Sequence, residues 1–240
     1  MGLSKNTLKL ITSLSQKKYR QKHNLFVAEG VKVVNEFLNS SFRVKELYTT
    51  DASLFNYEES IEISEAELKK ISKLKSPNKV IGVFEIPKEK EISSDKFTLV
   101  LDEVNDPGNL GTIIRLCDWF GITQLVCSKN TVDCFNFKVV QATMGSLTRV
   151  QIVYTDIISF LSETSLPTFT ADMDGDNVYK SQLPDKAVLV MGNEANGISK
   201  EVNDVIQQKL TIPRFGDIQK TESLNVATAT AILLSEFKRA

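Results

Sequence analysis

Apolar and polar positions along the chain change their rhythm near residue 87. Over residues 4–86 the spacing predicts a helix at about 4–20, a strand at "LFVAEG", a helix at "VKVVNEFLN", a strand at "VKELYTT", a helix opened by Ser64-x-x-Glu67, and a strand at "VIGVFEI". The Ser-x-x-Glu spacing lets each side chain satisfy the other's backbone N–H at a helix start. Residues 87–96, "PKEKEISSDK", are polar, begin with Pro87 and have no period, so they read as a linker. Beyond them apolar strands alternate with helices: "FTLVLDEV", helix 109–120, "ITQLVCS", helix 138–147, "RVQIVYT", helix 156–164, "PTFTADM", "AVLVMG", helix 198–206, "KLTIP" and a final helix within "TESLNVATATAILLSE". Alternation of this kind builds a mostly parallel sheet with helices on both faces. The expected organisation is a small α/β domain over 1–86, a linker over 87–96 and a larger α/β domain over 97–240. Ligands of such sheets lie beyond the carboxyl ends of the strands.

Three loops fall at that expected rim. In "NDPGNLGTIIR", Pro107-Gly108 suits the middle of a type II turn and Asn109 suits a helix cap. Projected at helical spacing, Leu110, Ile113, Ile114 and Cys117 share an inward arc, while Arg115 lies off it with Gly111 leaving open space beneath. The plain alternative for Arg115 is a surface pair with Asp118. In "LVMGNEANGIS", Gly192 and Gly197 bracket Asn193, Glu194 and Asn196, so the backbone can turn sharply and offer its own polar groups to a ligand. No Gly-Lys-Ser/Thr or GxGxxG is present, which disfavours phosphate cradling; the alternative is an ordinary turn with a solvated Glu194. In "IPRFGDIQKTESLNVATATAILLSE", Leu224, Ala227, Ala231 and Leu234 form one apolar stripe and Val226, Thr230, Leu233 and Phe237 another. That helix should be buried, leaving its first turn for chemistry, with Ser223 as N-cap the simpler explanation of the polar opening.

Composition narrows the field. The 240-residue chain is 42% hydrophobic, enough for a substantial core, and no apolar run approaches the roughly 20 residues that cross a bilayer. "MGLSKNTLKL" lacks the apolar block of a signal peptide, and Asn6 stands where a myristoylation site wants Ser or Thr, so a cytoplasmic protein is expected. Cys117, Cys127 and Cys134 form no CxxC pair and lie far from the single histidine, His23, so no structural metal is expected. The net charge of −1 hides an asymmetry: residues 1–50 hold nine Lys/Arg against three acids, about +6 by that count. Lys17, Lys18, Arg20 and Lys22 are the candidate contacts for a polyanion, against the alternative of a solvated helix face.

Taken in order, N109-x5-R115, G192-N-E194-x2-G197 and I212-P-R-x8-S223-L-N225 resemble the three signature motifs of the SpoU (TrmH) family of RNA 2′-O-ribose methyltransferases, in the SPOUT superfamily. The resemblance runs over residues 97–240. The front domain looks like the family's substrate-binding extension, a module similar to ribosomal protein L30e, with "KKYRQKHNLFVAEG" at its characteristic place. This likeness implies S-adenosylmethionine as cofactor, a carboxyl-terminal trefoil knot, and a homodimer in which Arg115 serves across the interface. It places Ala171, Met173, Met191, Gly192, Asn193, Gly197, Ile212, Pro213, Ser223 and Leu224 at the cofactor, and Arg115, Asn225, Glu194 and Asn109 at the reaction. "TMGS", Thr143 to Ser146, matches a further stretch often written with Ser first, and its role stays open. Leu116-Cys117 depart from the common Thr-Ala and should alter packing more than catalysis.

The chemistry implied is displacement at a sulfonium carbon by a ribose hydroxyl, in which attack geometry is the protein's main contribution. Guanidinium holds its proton tenaciously, so Arg115 is better suited to grip a phosphate and stabilise developing charge than to act as base. Asn225 can position that oxygen or Arg115, and Glu194 can anchor the loop or orient a partner. The expected activity is 2′-O-methylation of structured RNA, ribosomal RNA ahead of transfer RNA. The rivals are a non-catalytic RNA-binding or assembly factor that keeps the fold, and a related enzyme that methylates a base.

Overall fold

The computed structural model describes residues 3–55, 57–89, 91–217 and 223–239. They form two compact units, Met1–Lys88 with Asp133–Thr148, and Glu89–Val132 with Arg149–Ala240. The first takes in a segment from just past the midpoint of the chain.

In the first unit, α1 (Lys5–Ser13) and α2 (Lys17–His23) replace the single helix expected over 4–20. The break has a visible cause. Arg20 donates from Nη1 to the carbonyls of Leu14 (2.9 Å) and Ser15 (3.1 Å), taking acceptors that a continuing helix would have used. β1 (Leu25–Glu29), α3 (Val31–Leu38), β2 (Val44–Thr49), β3 (Ile61–Glu62), α4 (Glu65–Ile71) and β4 (Val80–Glu85) follow. The capping box of Ser64 and Glu67 opens α4. The sheet runs β1-β4-β2-β3, antiparallel except for β2–β3. One side of β1 joins an aromatic group in which Phe26 meets Phe37, Phe84 and Phe135, the last from the inserted segment. Leu25 belongs to a second cluster with Ile11, Leu14, Leu68, Ile71 and Ile81.

The second unit holds β5 (Thr98–Leu101), α5 (Pro107–Trp119) and β6 (Gln124–Ser128). The chain then contributes α6 (Phe137–Thr143) to the first unit, shorter than the expected 138–147. Met144 adopts left-handed φ there, and Gly145 follows at φ +99, where a Cβ would stand 2.4 Å from Glu36 Cγ. β7 (Gln151–Thr155), α7 (Ile157–Glu163), β8 (Thr168–Asn177), β9 (Val188–Met191), α8 (Lys200–Asn203), β10 (Gln208–Thr211) and α9 (Val226–Phe237) complete the second unit. Its sheet runs β10-β8-β9-β5-β6-β7 with every pairing parallel. β5, β6 and β9 are buried on both faces, as their unbroken apolar runs require. β8 runs past its expected end: Thr170 is level with Val190 and Lys209, but the next partner of β10 is Asp176, so residues 171–175 leave the ladder. α9 packs along α5, and Phe237 in its last turn sits edge-on to Phe97 and Phe169.

The second half of the polar stretch 87–96 is pinned to this unit. Ser93 exchanges main-chain hydrogen bonds with the Gln124 amide, and Gln151 Nε2 donates to the Glu91 carbonyl. Among the described residues no helix is long and apolar enough to cross a membrane.

Candidate active site

Because all six strands of the second sheet run the same way, their carboxyl ends share one rim. At the end of β5, buried Asp102 accepts from Ser199 N–H (2.8 Å), tying the loop after β9 to β5. Glu103 follows in left-handed φ, +57°. Three bonds hold that unusual backbone: its N–H donates to Ser128 Oγ, its carbonyl accepts from Asn193 Nδ2 (2.7 Å), and its carboxylate accepts from Asn130.

The start of α5 differs from expectation. Asp106, not Asn109, is the N-cap, its Oδ1 accepting from Asn109 N–H at 2.8 Å, and Pro107 occupies the first helical turn rather than a type II turn. Asn109 therefore keeps its side chain for other partners. At the start of α9 the cap is Asn225, whose Oδ1 accepts from Ala227 and Thr228 N–H (3.0 and 3.2 Å). Ser223 and Leu224 lie before the helix, and Leu224, assigned to the buried stripe by spacing, is exposed.

The loop after β9 folds back on itself: Asn193 and Gly197 exchange main-chain bonds, and Asn193 Oδ1 accepts from Ala195 and Asn196 N–H. Gly192 is required by this closure, since a Cβ there would stand 2.4 Å from the Gly197 carbonyl carbon.

These three segments meet in one line of hydrogen bonds. Glu194 Oε1 accepts from Asn109 Nδ2 (3.0 Å), and Asn109 Oδ1 accepts from Asn225 Nδ2 (2.9 Å). The line then ends at the first N–H groups of α9. A carboxylate only accepts and a main-chain N–H only donates, so the orientation of both amides between them is forced. Glu194 also lies 3.4 Å from the N–H groups of Asn105 and Asp106, at the positive end of α5.

Arg115 stands apart from this line. It lies six residues beyond Asn109 on α5, about 9 Å along the axis, is exposed, and makes no hydrogen bond or ion pair among the described residues. Asp118, its suggested surface partner, instead receives a bidentate contact from Arg149. Gly111 is buried rather than bordering open space.

The residues matched to the cofactor fall at the same rim. Met191 is the buried end of β9, Ile212 and Pro213 are half-buried just after β10, and Ala171 and Met173 belong to the part of β8 that leaves the ladder, Met173 exposed. Gly197 has φ +70. In the first unit, Lys17, Lys18 and Lys22 are exposed on α2, whereas Arg20, grouped with them by sequence, is buried against Asp133. It is an internal tie, not a polyanion contact. Thr143 is also buried, its hydroxyl donating to the Val140 carbonyl. The Cys117 thiol is buried, which pushes its pKa up and leaves it unsuited to act as a nucleophile. Asp102, Asp106 and the Asn193 side chain escaped the sequence reading. Only Asp106 carried a readable signal, an acid directly before a helix-starting proline.

Comparison with known proteins bears on what this rim does. A model of the SpoU rRNA Methylase family matches residues 96–235, and an MRM3-like substrate binding domain matches residues 5–82. The chain is 32% identical to the 23S rRNA (guanosine(2553)-2′-O)-methyltransferase RlmP of Bacillus subtilis, covering 92% of this chain and 91% of that protein. It is similar to the structure of a Porphyromonas gingivalis protein assigned to the TrmH family of RNA methyltransferases, at 41% identity and TM-score 0.91, covering 99% and 98%. An AdoMet-bound rRNA methyltransferase of Sinorhizobium meliloti superposes with TM-score 0.87 at 29% identity, covering 100% and 97%.

Proposed function

This chain belongs to the SpoU rRNA methylase family, and we propose that it transfers a methyl group from S-adenosylmethionine to a ribose 2′-hydroxyl of structured RNA, ribosomal RNA being the substrate class. The observation that carries this reading is the continuous line Glu194–Asn109–Asn225, which draws one residue from each of three distant loops to the carboxyl rim of a parallel sheet. A fold kept for binding alone has no need of it.

The residues at the rim suit the cofactor. Ile212, Pro213 and Leu224 offer apolar surface, Ser223 a hydroxyl, and the tight loop after Gly192, which continues from the buried end of β9 at Met191, brings main chain close to any group seated there. The bound cofactor supplies an activated methyl group. Asn193, locked to Glu103, sets the loop that carries Glu194. Glu194 fixes the orientation of Asn109, which in turn fixes Asn225 at the mouth of α9. Arg115, exposed and without a protein partner among the described residues, grips a phosphate next to the reacting nucleotide and stabilises charge that develops on the ribose oxygen. A guanidinium donates hydrogen bonds and offers no acceptor, which suits it to this grip rather than to taking a proton.

Three further features belong to this reading. The carboxyl-terminal region is a trefoil knot, as membership of this family implies. The first unit is an L30e-like substrate-binding module presenting Lys17, Lys18 and Lys22 to RNA. The protein acts in the cytoplasm as a homodimer in which Arg115 serves the partner's site.

The test is incubation of purified protein with labelled S-adenosylmethionine and total RNA from cells lacking the gene, followed by nucleoside mass spectrometry. A 2′-O-methylated nucleoside is the expected product. Its absence with cofactor binding intact would favour the binding or assembly role, and a base-methylated product would replace the ribose assignment.

A further inference from the structure

Four of the eight large apolar side chains exposed among the described residues stand around this same rim: Met173, Tyr179, Phe215 and Leu224. Two are aromatic and adjacent. Tyr179 lies in the short 3-10 turn Val178–Lys180 directly after β8, and Phe215 follows β10 by four residues. Their ring centroids are 6.4 Å apart with planes inclined by 34°. That 3-10 turn packs against α9, whose cap is Asn225. Since β8 and β10 end on the side where β9 delivers Glu194, the rings and the polar line lie at the same rim of the sheet.

Exposure tells what the rings are for. Phe215 is 81% exposed, whereas pockets for small molecules are concave and bury most of their ligand. A phenyl ring held in water at the mouth of a site is what unpaired RNA bases stack upon. Each ring also has a cation next to it in the chain, Lys180 after Tyr179 and Arg214 before Phe215, both exposed. Arg214 Nη2 lies 2.7 Å from Met173 Sδ, which keeps the guanidinium beside the excursion of β8. Acids accompany them: Asp174, Asp176 and Asp217 are exposed, and Asp172 is paired with Lys209 at 2.8 Å. Charge alone therefore draws a polyanion here weakly, and stacking has to supply the affinity.

We infer that Phe215 and Tyr179 form a stacking platform for an unpaired base flanking the methylated nucleotide, with Arg214 and Lys180 meeting the adjoining phosphates. Its place beside the reacting ribose rests on the methyl-transfer reading above. Unpaired nucleotides in loops and bulges can be splayed from their neighbours, and a flanking base caught on a ring holds that conformation open.

The test compares wild type with Phe215→Ala, Tyr179→Ala and Phe215→Trp, using fluorescence anisotropy of a labelled single-stranded oligoribonucleotide of about ten nucleotides, within the usual site size for stacking grooves. Cofactor affinity is measured separately by calorimetry with S-adenosylmethionine. The alanine variants should bind the oligonucleotide about five- to a hundredfold more weakly, and Phe215→Trp should restore binding. The loss should persist at high salt, and cofactor affinity should stay within about twofold. Unchanged RNA binding, a loss that vanishes at high salt, or a loss confined to the cofactor would each overturn the platform. The last result would assign the rings to the cofactor's adenine. Oligonucleotide binding is read without turnover, so a wild type that binds through the rings but yields no methylated nucleoside would sink the methyl-transfer reading and leave the platform standing.

Discussion

Arg20 in the first unit and Arg115 in the second begin alike, as cations on helices that the sequence presents as solvent-facing. Arg20 is 2% exposed and its guanidinium is consumed by Asp133 and the carbonyls of Leu14 and Ser15. Arg115 is exposed with no partner among the described residues. Acids divide the same way: Glu29 is buried beneath Ser72 and Lys73, while Glu194 is exposed and accepts from an amide at the rim. A buried charge whose donors or acceptors are all taken holds chain segments in place. An exposed charge beside an ordered polar line is available to a ligand.

Separating these two uses makes the strongest prediction. Asp133→Ala leaves the Arg20 guanidinium buried without its counter-charge, which should cost about 3–5 kcal/mol of stability in urea denaturation. Asp133→Asn keeps an acceptor for the Phe135 N–H and should recover part of that loss. A change below about 1 kcal/mol would mean the pair behaves like a surface salt bridge and the contrast fails.

Next comes Arg115→Ala. Losing one donor to developing negative charge is expected to lower turnover about 10²–10³-fold, with S-adenosylmethionine affinity and melting temperature nearly unchanged. Arg115→Lys should recover little, because a point charge cannot reproduce a planar fork. A large fall in stability or cofactor affinity would place Arg115 with Arg20 as a structural residue.

How far such residues can be sorted from sequence depends on the kind of signal. The alternation of strands and helices beyond residue 97 was legible because β5, β6 and β9 are buried on both faces, which demands unbroken apolar runs. The three polar loops were legible because glycines and asparagines interrupt those runs at strand ends. The choice of cap was not. Asp106 and Asn109, or Ser223 and Asn225, are each able to cap within a few residues of one another, and tertiary partners decide which does: Asn109 is held by Glu194, and Asn225 by Asn109. The burial of Arg20 was invisible for a similar reason, since its partner Asp133 lies 113 residues away. The grouping of residues 133–148 with the first unit depends on equally distant contacts, such as Phe135 against Phe26.

Asn225 stands between the two uses, since it caps α9 and also closes the line to Asn109. Asn225→Ala should cost about 0.5–2 kcal/mol through the lost cap and reduce turnover as well. Asn225→Ser retains a capping oxygen but is too short to keep the amide contact with Asn109, so stability should return and activity should not. Activity that follows stability across both variants would show the residue working only as a cap.

The smallest effect concerns Glu29, where burial outweighs the bonds from Ser72 and Lys73 and pushes the carboxyl pKa above its ordinary value near 4.5. An acid with a raised folded pKa keeps its proton longer in the folded chain than in the unfolded one. Its contribution to stability is therefore full below about pH 4.5 and is lost as pH rises through the folded value. Glu29→Gln removes that titration while its oxygen still accepts from Lys73 N–H and its amide can donate to Ser72 Oγ. Relative to wild type, the variant should gain stability between pH 4 and pH 7 in urea titrations at the two pH values. The opposite sign, a variant that loses ground as pH rises, would mean the ionised carboxylate stabilises the first unit, and buried charge there would no longer be a cost tolerated for the sake of fixing chain segments.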